Sequence, residues 1–233
     1  MTFVELCDMV RREGGISGQP ITTLAGNLPA ETARIKNWVK DAWADIQTMQ
    51  TQWMFMFYES SFTIPQYASV IQPDEFAAGV VAEWDPYSVR ISRKYETKSR
   101  SQPMMIQNYA LFKDHEGIDP TRRGMPSVIA IHPRTEALHL APAADDEYEL
   151  YFDFYRTPQI LDTDDEEPVM PSRFHALIAW EALVRYGGYE VAPDVVTRAQ
   201  THAHRLMAAL MGDQLPAYGM STLDDYGYPA YGW

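Results

Sequence analysis

A single cysteine, Cys7, in 233 residues excludes an intrachain disulfide, and with no CxxC pair or Cys/His cluster near it zinc has no framework to occupy. That usage fits a reducing cytosol. No stretch approaches the roughly 18 apolar residues that a membrane span needs, and Met1-Thr2-Phe3-Val4-Glu5 lacks the basic-then-apolar layout of a signal peptide. A chain made and assembled in the cytoplasm, with no membrane partner, is the expectation. Positive charge is scarce: 19 Lys and Arg stand against 32 Asp and Glu, a formal net charge of −13. This is the reverse of the electrostatic footprint of a domain that grips DNA.

Apolar side chains are plentiful instead. At 46% hydrophobic residues the chain can build one core, or a core with a smaller lobe. The 6 Trp, 14 Tyr and 9 Phe exceed what a small soluble domain needs, and aromatic side chains dominate interfaces as well as cores. An assembly protein fits that excess.

Periodicity divides the chain. Thr2-Phe3-Val4-Glu5 has the capping-box form, Phe3, Leu6, Cys7 and Val10 share one helical face, and Gly14-Gly15 ends it. Pro29 suits a first helical turn, and Ile35, Trp38, Val39, Ala42, Ile46, Met49 and Trp53 follow at steps of 3 or 4; Trp38, Val39 and Ile46 are expected in the core. From about Met54 to Tyr155 the period shortens to 2, most plainly at Tyr148, Leu150, Phe152 and Phe154. Helical spacing returns at Pro171, and a last helix begins near Pro193 and is stopped by Gly212. The helix around Trp180 is apolar nearly all round, which implies contact on more than one side.

The fold class read from this is α+β. An α-helical bundle of four principal helices (2–13, 29–52, 171–187 and 193–211) carries an antiparallel β-rich insertion between helices two and three, and an extended C-terminal tail follows. The units are 1–53 (N-terminal helices), 54–158 (β-rich insertion), 159–212 (C-terminal helices) and 213–233 (tail). Gly and Pro argue against regular structure in that tail, yet it holds Tyr218, Tyr226, Tyr228, Tyr231 and Trp233. Aromatics on such an end read as an anchor for a partner chain.

No constellation carries catalytic spacing, so no catalytic residue, metal or cofactor is assigned. His202 and His204 are two apart, where a helical metal pair needs three or four. Asp162 to Glu167 offers calcium-type oxygens, but Glu167 stands where an EF-hand needs Gly and Arg173 where it needs Glu, so an acidic linker is preferred. Gly14-Gly15-Ile16-Ser17-Gly18 follows a helix, where a phosphate loop or nucleophile elbow follows a strand. Arg90, Arg93, Lys94, Lys98 and Arg100 form the one basic stretch, a candidate surface for a partner or for DNA; the plainer reading is a charged edge strand and loop that resist aggregation.

The block Tyr155-Arg156-Thr157-Pro158, Leu161, Asp164, Glu167-Pro168, Met170-Pro171 and Phe174-His175 resembles the head-to-tail adaptor family of tailed bacteriophages. Phe3-Val4-Glu5-Leu6 through Glu13 with Gly15 to Gly18, Arg34-Ile35 with Trp38-Val39 and Ala42 to Ile46, Arg123 to Pro126, and Leu138 to Pro142 agree with it. The resemblance implies a helical bundle with a β-rich insertion, no catalytic residues, and a ring, commonly of twelve copies, below the portal. Its implied partners are the portal protein, tail or nozzle proteins, other copies of itself, and genomic DNA that passes without tight binding. The implied location is the neck of the virion. An acidic wall lowers affinity for passing phosphates, and the all-round apolar helix would serve neighbouring subunits. The tail aromatics would bind portal or a neighbouring adaptor. The alternatives are a neck or tail-completion protein, an unrelated β-rich binding module and, last, an enzyme.

Overall fold

The computed structural model describes residues 1–76, 80–115 and 121–215. Helix α1 (Phe3–Glu13) starts with both bonds of the capping box in place between Thr2 and Glu5, and buries Phe3, Leu6, Cys7, Met9 and Val10. Gly15 follows at φ +69°, the left-handed conformation that a residue without Cβ adopts at no steric cost. Pro29 stands just outside α2 (Ala30–Thr48) as its N-cap. This helix ends four residues before the expected 52. The chain turns there so that the Trp53 indole N–H donates to the Ile46 carbonyl at 3.0 Å, satisfying one of the acceptors a helix end leaves open.

A 3-10 turn, Met54–Met56, leads into the β region: β1 (Phe57–Ile64), β2 (Val70–Ile71), β3 (Val81–Trp84), β4 (Arg90–Arg93), β5 (Gln102–Pro103) and β6 (Met105–Gln107). A short helix, α3 (Tyr109–His115), comes next, followed by β7 (Arg123–Gly124), β8 (Val128–Ile131), β9 (Leu138–Ala141), β10 (Ala143–Ala144) and β11 (Tyr148–Arg156). Two long helices close the described chain, α4 (His175–Tyr189), entered through a 3-10 turn Ser172–Phe174, and α5 (Pro193–Gln214). Gly212 does not stop α5. A glycine inside a helix costs only about 1 kcal/mol, and buried Gln214 beyond it extends the packed face.

The architecture is α+β, as read from the sequence, with α3 an addition that the pattern did not announce. Strand β11 is the spine of the first sheet, in the order β1-β11-β4-β5 with β3 also paired to β11, all antiparallel. A second sheet runs β2-β9-β8-β6, and β7 pairs with β10. The expectation of a wholly antiparallel insertion needs correcting: β6–β8 and β7–β10 are parallel. Parallel neighbours need a long crossover, and the segment through α3 supplies it between β6 and β8, while the β8–β9 hairpin supplies it between β7 and β10.

Two cores result. In one, α4 packs on α1, α2 and α5, and α1 packs on α2. The apolar surround of α4 is therefore used inside the subunit: Leu177, Ile178, Ala179, Trp180, Ala182 and Leu183 are buried in the single chain. This corrects the assignment of that helix to neighbouring subunits. Gly187 lets α5 approach, because a Cβ there would lie 2.7 Å from Val196. Val39 and Ile46 are in this core as expected, but Trp38 lies at its margin, 5.9 and 5.7 Å from the rings of Tyr186 and Tyr189. The tryptophans buried in this core are Trp43, Trp53 and, on α4, Trp180. The second core lies under β11, where Phe62, Phe76, Trp84 and Phe152 form a chain of ring contacts at 4.4 to 5.9 Å.

Candidate functional site

The segment leaving β11 carries the residues with the most specific spacing, and it is a strap across the helices. Gln159 comes first. Its N–H donates to Oε1 of buried Gln47 at 2.7 Å, its carbonyl accepts from Gln47 Nε2 at 3.0 Å, and its own amide holds Glu167 O and Val169 N. Leu161 and Met170 are buried among the helices.

Asp162, Asp164 and Glu166 of the strap are spent on internal contacts. Asp162 pairs with Lys40 on α2, and that hydrogen bond lowers its pKa. Asp164 accepts from Thr23 Oγ1 at 2.6 Å and Leu24 N at 2.8 Å, so it fastens the loop between α1 and α2; these bonds lower its pKa as well. The backbone carbonyls of Asp164 and Glu166 accept the first N–H groups of α1, from Val4 and Phe3, which a helix otherwise leaves without partners. Glu166 folds back onto the N–H groups of Asp162 and Thr163. At the far end buried His175 bridges the Met1 amino group at 2.7 Å and the Met170 carbonyl at 2.8 Å. The linker is thus a clamp that joins β11, both N-terminal helices and α4.

No set of three His, Cys, Asp or Glu side chains among the described residues is placed to hold a metal ion. His202 is stacked on Trp180, centroids 4.4 Å apart, on the opposite side of its own turn from His204 in the order expected for residues two apart. A depression of about 430 Å³ opens beside the loop 16–28, but the Arg11 that lines it is committed to Asp8 and to the carbonyls of Ile16 and Gly18.

The basic stretch has several different partners. Arg90 bonds Ser101 through its side-chain oxygen and its carbonyl, at 2.8 and 2.6 Å, and so holds β5 against β4. Lys94 pairs with Glu147, which raises the lysine pKa. Lys98 crosses the outer face of the sheet over the Tyr151 ring to Glu59 at 3.5 Å. Arg93 and Arg100 are exposed. Of this stretch only Arg90 and Arg93 lie in β4: Arg90 is paired on both sides, with β11 and β5, and Arg93 with β11 alone, so the charged-edge reading holds only at the Arg93 end. Tyr218, Tyr226, Tyr228, Tyr231 and Trp233 lie outside the described residues.

The chain that folds in this way is matched over residues 1–230 by the family described as SU10 adaptor protein. The chain belongs to the SU10 adaptor protein family. This is a phage head-to-tail adaptor family, as the residues of the clamp indicated from the sequence. The adaptor is accordingly a structural protein of a bacteriophage. No curated protein matches the chain.

Gln47 and Gln159 are the adaptor residues that sequence reasoning passed over. A glutamine on a helix ordinarily faces water, but Gln47 falls on the row 39, 43, 47 of α2, at steps of four from buried Val39 and Trp43. That row was the available signal. In this adaptor the Asp164 contact had no such signal, since 140 residues separate it from Leu24.

Proposed function

We propose that the chain is a head-to-tail adaptor subunit that forms a ring, of about twelve copies on the family pattern, beneath the portal of a tailed phage. The ring links capsid to tail and continues the channel for DNA, which places the protein in the neck of the virion after assembly in the host cytoplasm. Family membership over nearly the whole chain carries this reading. The net charge of −13 supports a conduit, because acidic walls do not trap phosphates.

The units 1–53, 54–158, 159–212 and 213–233 divide the work in this reading. The helices and clamp make the body, the β-rich part faces tail or nozzle proteins, and the tail anchors on portal or on a neighbouring adaptor through Tyr218, Tyr226, Tyr228, Tyr231 and Trp233. Arg90, Arg93, Lys94, Lys98 and Arg100 meet an acidic partner or passing phosphates. The test is a mass measurement of the purified protein alone and mixed with portal. A ring on the portal supports the adaptor, and a protein that stays off portal while it completes isolated tails would replace it with a tail-completion role.

A further inference from the structure

Strand β1 is the outermost strand of its sheet. All eight of its residues pair with β11 on one side, and among the described residues no strand pairs with the other. Alternate residues of an antiparallel strand turn both backbone groups to the same side, so about half of the N–H and C=O groups of β1 face outward. Native sheets guard such an edge with Lys, Pro, a bulge or brevity. Phe57-Tyr58-Glu59-Ser60-Ser61-Phe62-Thr63-Ile64 has none of these and a single charge, Glu59, and its register with β11 is unbroken. The opposite edge of the same sheet, β5, has two residues and contains Pro103, and β3 has four residues. In the second sheet the outer strands β2 and β6 have two and three. Residues 57 to 61 are all exposed, and Phe57 and Tyr58 keep 37% and 38% of their surface in water.

We propose that the β1 edge receives an extended segment of a neighbouring copy of this chain, residues 216–233, as an added strand. The inference rests on the ring reading above. A ring closes through heterologous contacts, in which each copy shows one surface to one neighbour and a different surface to the other. Pairing of β1 with β1 of a second copy would be two-fold and would stop at a dimer. Since α4 spends its apolar surface inside the subunit, the lateral contact has to be sought elsewhere, and β1 is the longest open edge among the described residues. No other described strand offers a comparable edge to meet it, so its partner comes from outside those residues. Of the stretches left, 77–79 and 116–120 are too short, whereas 216–233 can reach roughly 60 Å from Leu215 when extended. Between Pro216 and Pro229 every residue keeps an N–H to donate, and Tyr218, Tyr226 and Tyr228 supply aromatic partners for Phe57 and Tyr58.

Full-length variants with one added cysteine each test this, because native Cys7 is fully buried and does not compete. Ser61→Cys is prepared in one batch and Ser221→Cys or Leu223→Cys in another; the batches are mixed, assembled on portal and oxidised, so that cysteines with Cα atoms within about 7 Å become linked. The expected result is a dimer-sized band that forms in the mixture and in neither batch alone, together with amide exchange across 57–63 slowed about tenfold or more in the ring. A Ser61→Cys chain linked to itself shows two-fold pairing and overturns the proposal. So does a link confined to one doubly substituted chain, in which the tail folds back on its own β1. Rings that form with no link from either tail position overturn it while the ring reading stands; wild-type protein that forms no ring on portal removes the ring reading and this proposal together.

Discussion

Replacing Gln47 with leucine should unfasten the strap from α2 without opening a large cavity. The side chain is 1% exposed; its Oε1 accepts the Gln159 N–H at 2.7 Å, and its Nε2 donates to the carbonyls of Gln159 at 3.0 Å and Trp43 at 3.2 Å. Leucine fills a similar volume but leaves the Gln159 N–H and C=O without partners in a partly buried site. A stranded buried group costs about 1–3 kcal/mol, and partial access of water at Gln159 puts the pair at about 2–4 kcal/mol. For a chain of this size 1 kcal/mol moves Tm by about 2–4 °C, so the expected fall is roughly 4–16 °C. Thermal and urea unfolding followed by tryptophan emission measures it, since Trp43 is one helical turn from Gln47 and Trp53 caps the same helix end. Gln47→Glu should be worse than Gln47→Leu, because it sets a buried carboxylate against the Gln159 carbonyl. A Gln47→Leu protein with the wild-type midpoint in both experiments would refute the clamp as a source of stability.

Trp43→Ala should cost about 3–5 kcal/mol in urea unfolding and Trp38→Ala clearly less, as Trp43 is in the core and Trp38 at its margin; Trp43→Phe should be milder, the indole N–H having no partner among the described residues. Equal losses at 38 and 43 would show that the face of α2 has been misjudged. Burial, and then the nearby His132, lower the His139 pKa, and both rings pack against Tyr109 of α3. The unfolded chain therefore binds this proton more readily than the folded one, so the stability is complete above about pH 6.5 and is lost as pH falls through the lower folded value. Amide exchange in α3 should be faster at pH 5 than at pH 7.5 after correction for intrinsic rates, and His139→Phe should flatten the difference; an unchanged profile in the variant would count against the pair. Burial also pushes the Cys7 thiol up to about 12, so the native protein should not react with a thiol reagent at pH 8 until denaturant is added, and prompt reaction would mean that α1 opens.

The α+β class, the four long helices, the β region from about residue 54 to 155 with its spine β11, and the family were legible in the sequence alone. Each rests on a short-range signal: the capping box at Thr2 and Glu5, helical steps at Ile35, Val39, Ala42 and Ile46, and alternation from Tyr148 to Phe154. Such signals depend on neighbours within a turn or along one strand, which a sequence shows directly. Which apolar faces meet inside the subunit depends on packing between distant segments, and it is this packing that makes the all-apolar α4 the centre of its own bundle of contacts. The parallel pairs β6–β8 and β7–β10 were likewise beyond reach, because strands of two to four residues carry too little pattern to reveal a register or a direction. The acidic run 162–167 shows the division most sharply: composition reads it as a solvated linker, and it becomes a clamp because folding brings Thr23, Leu24, Lys40 and the first turn of α1 to it from more than 100 residues away.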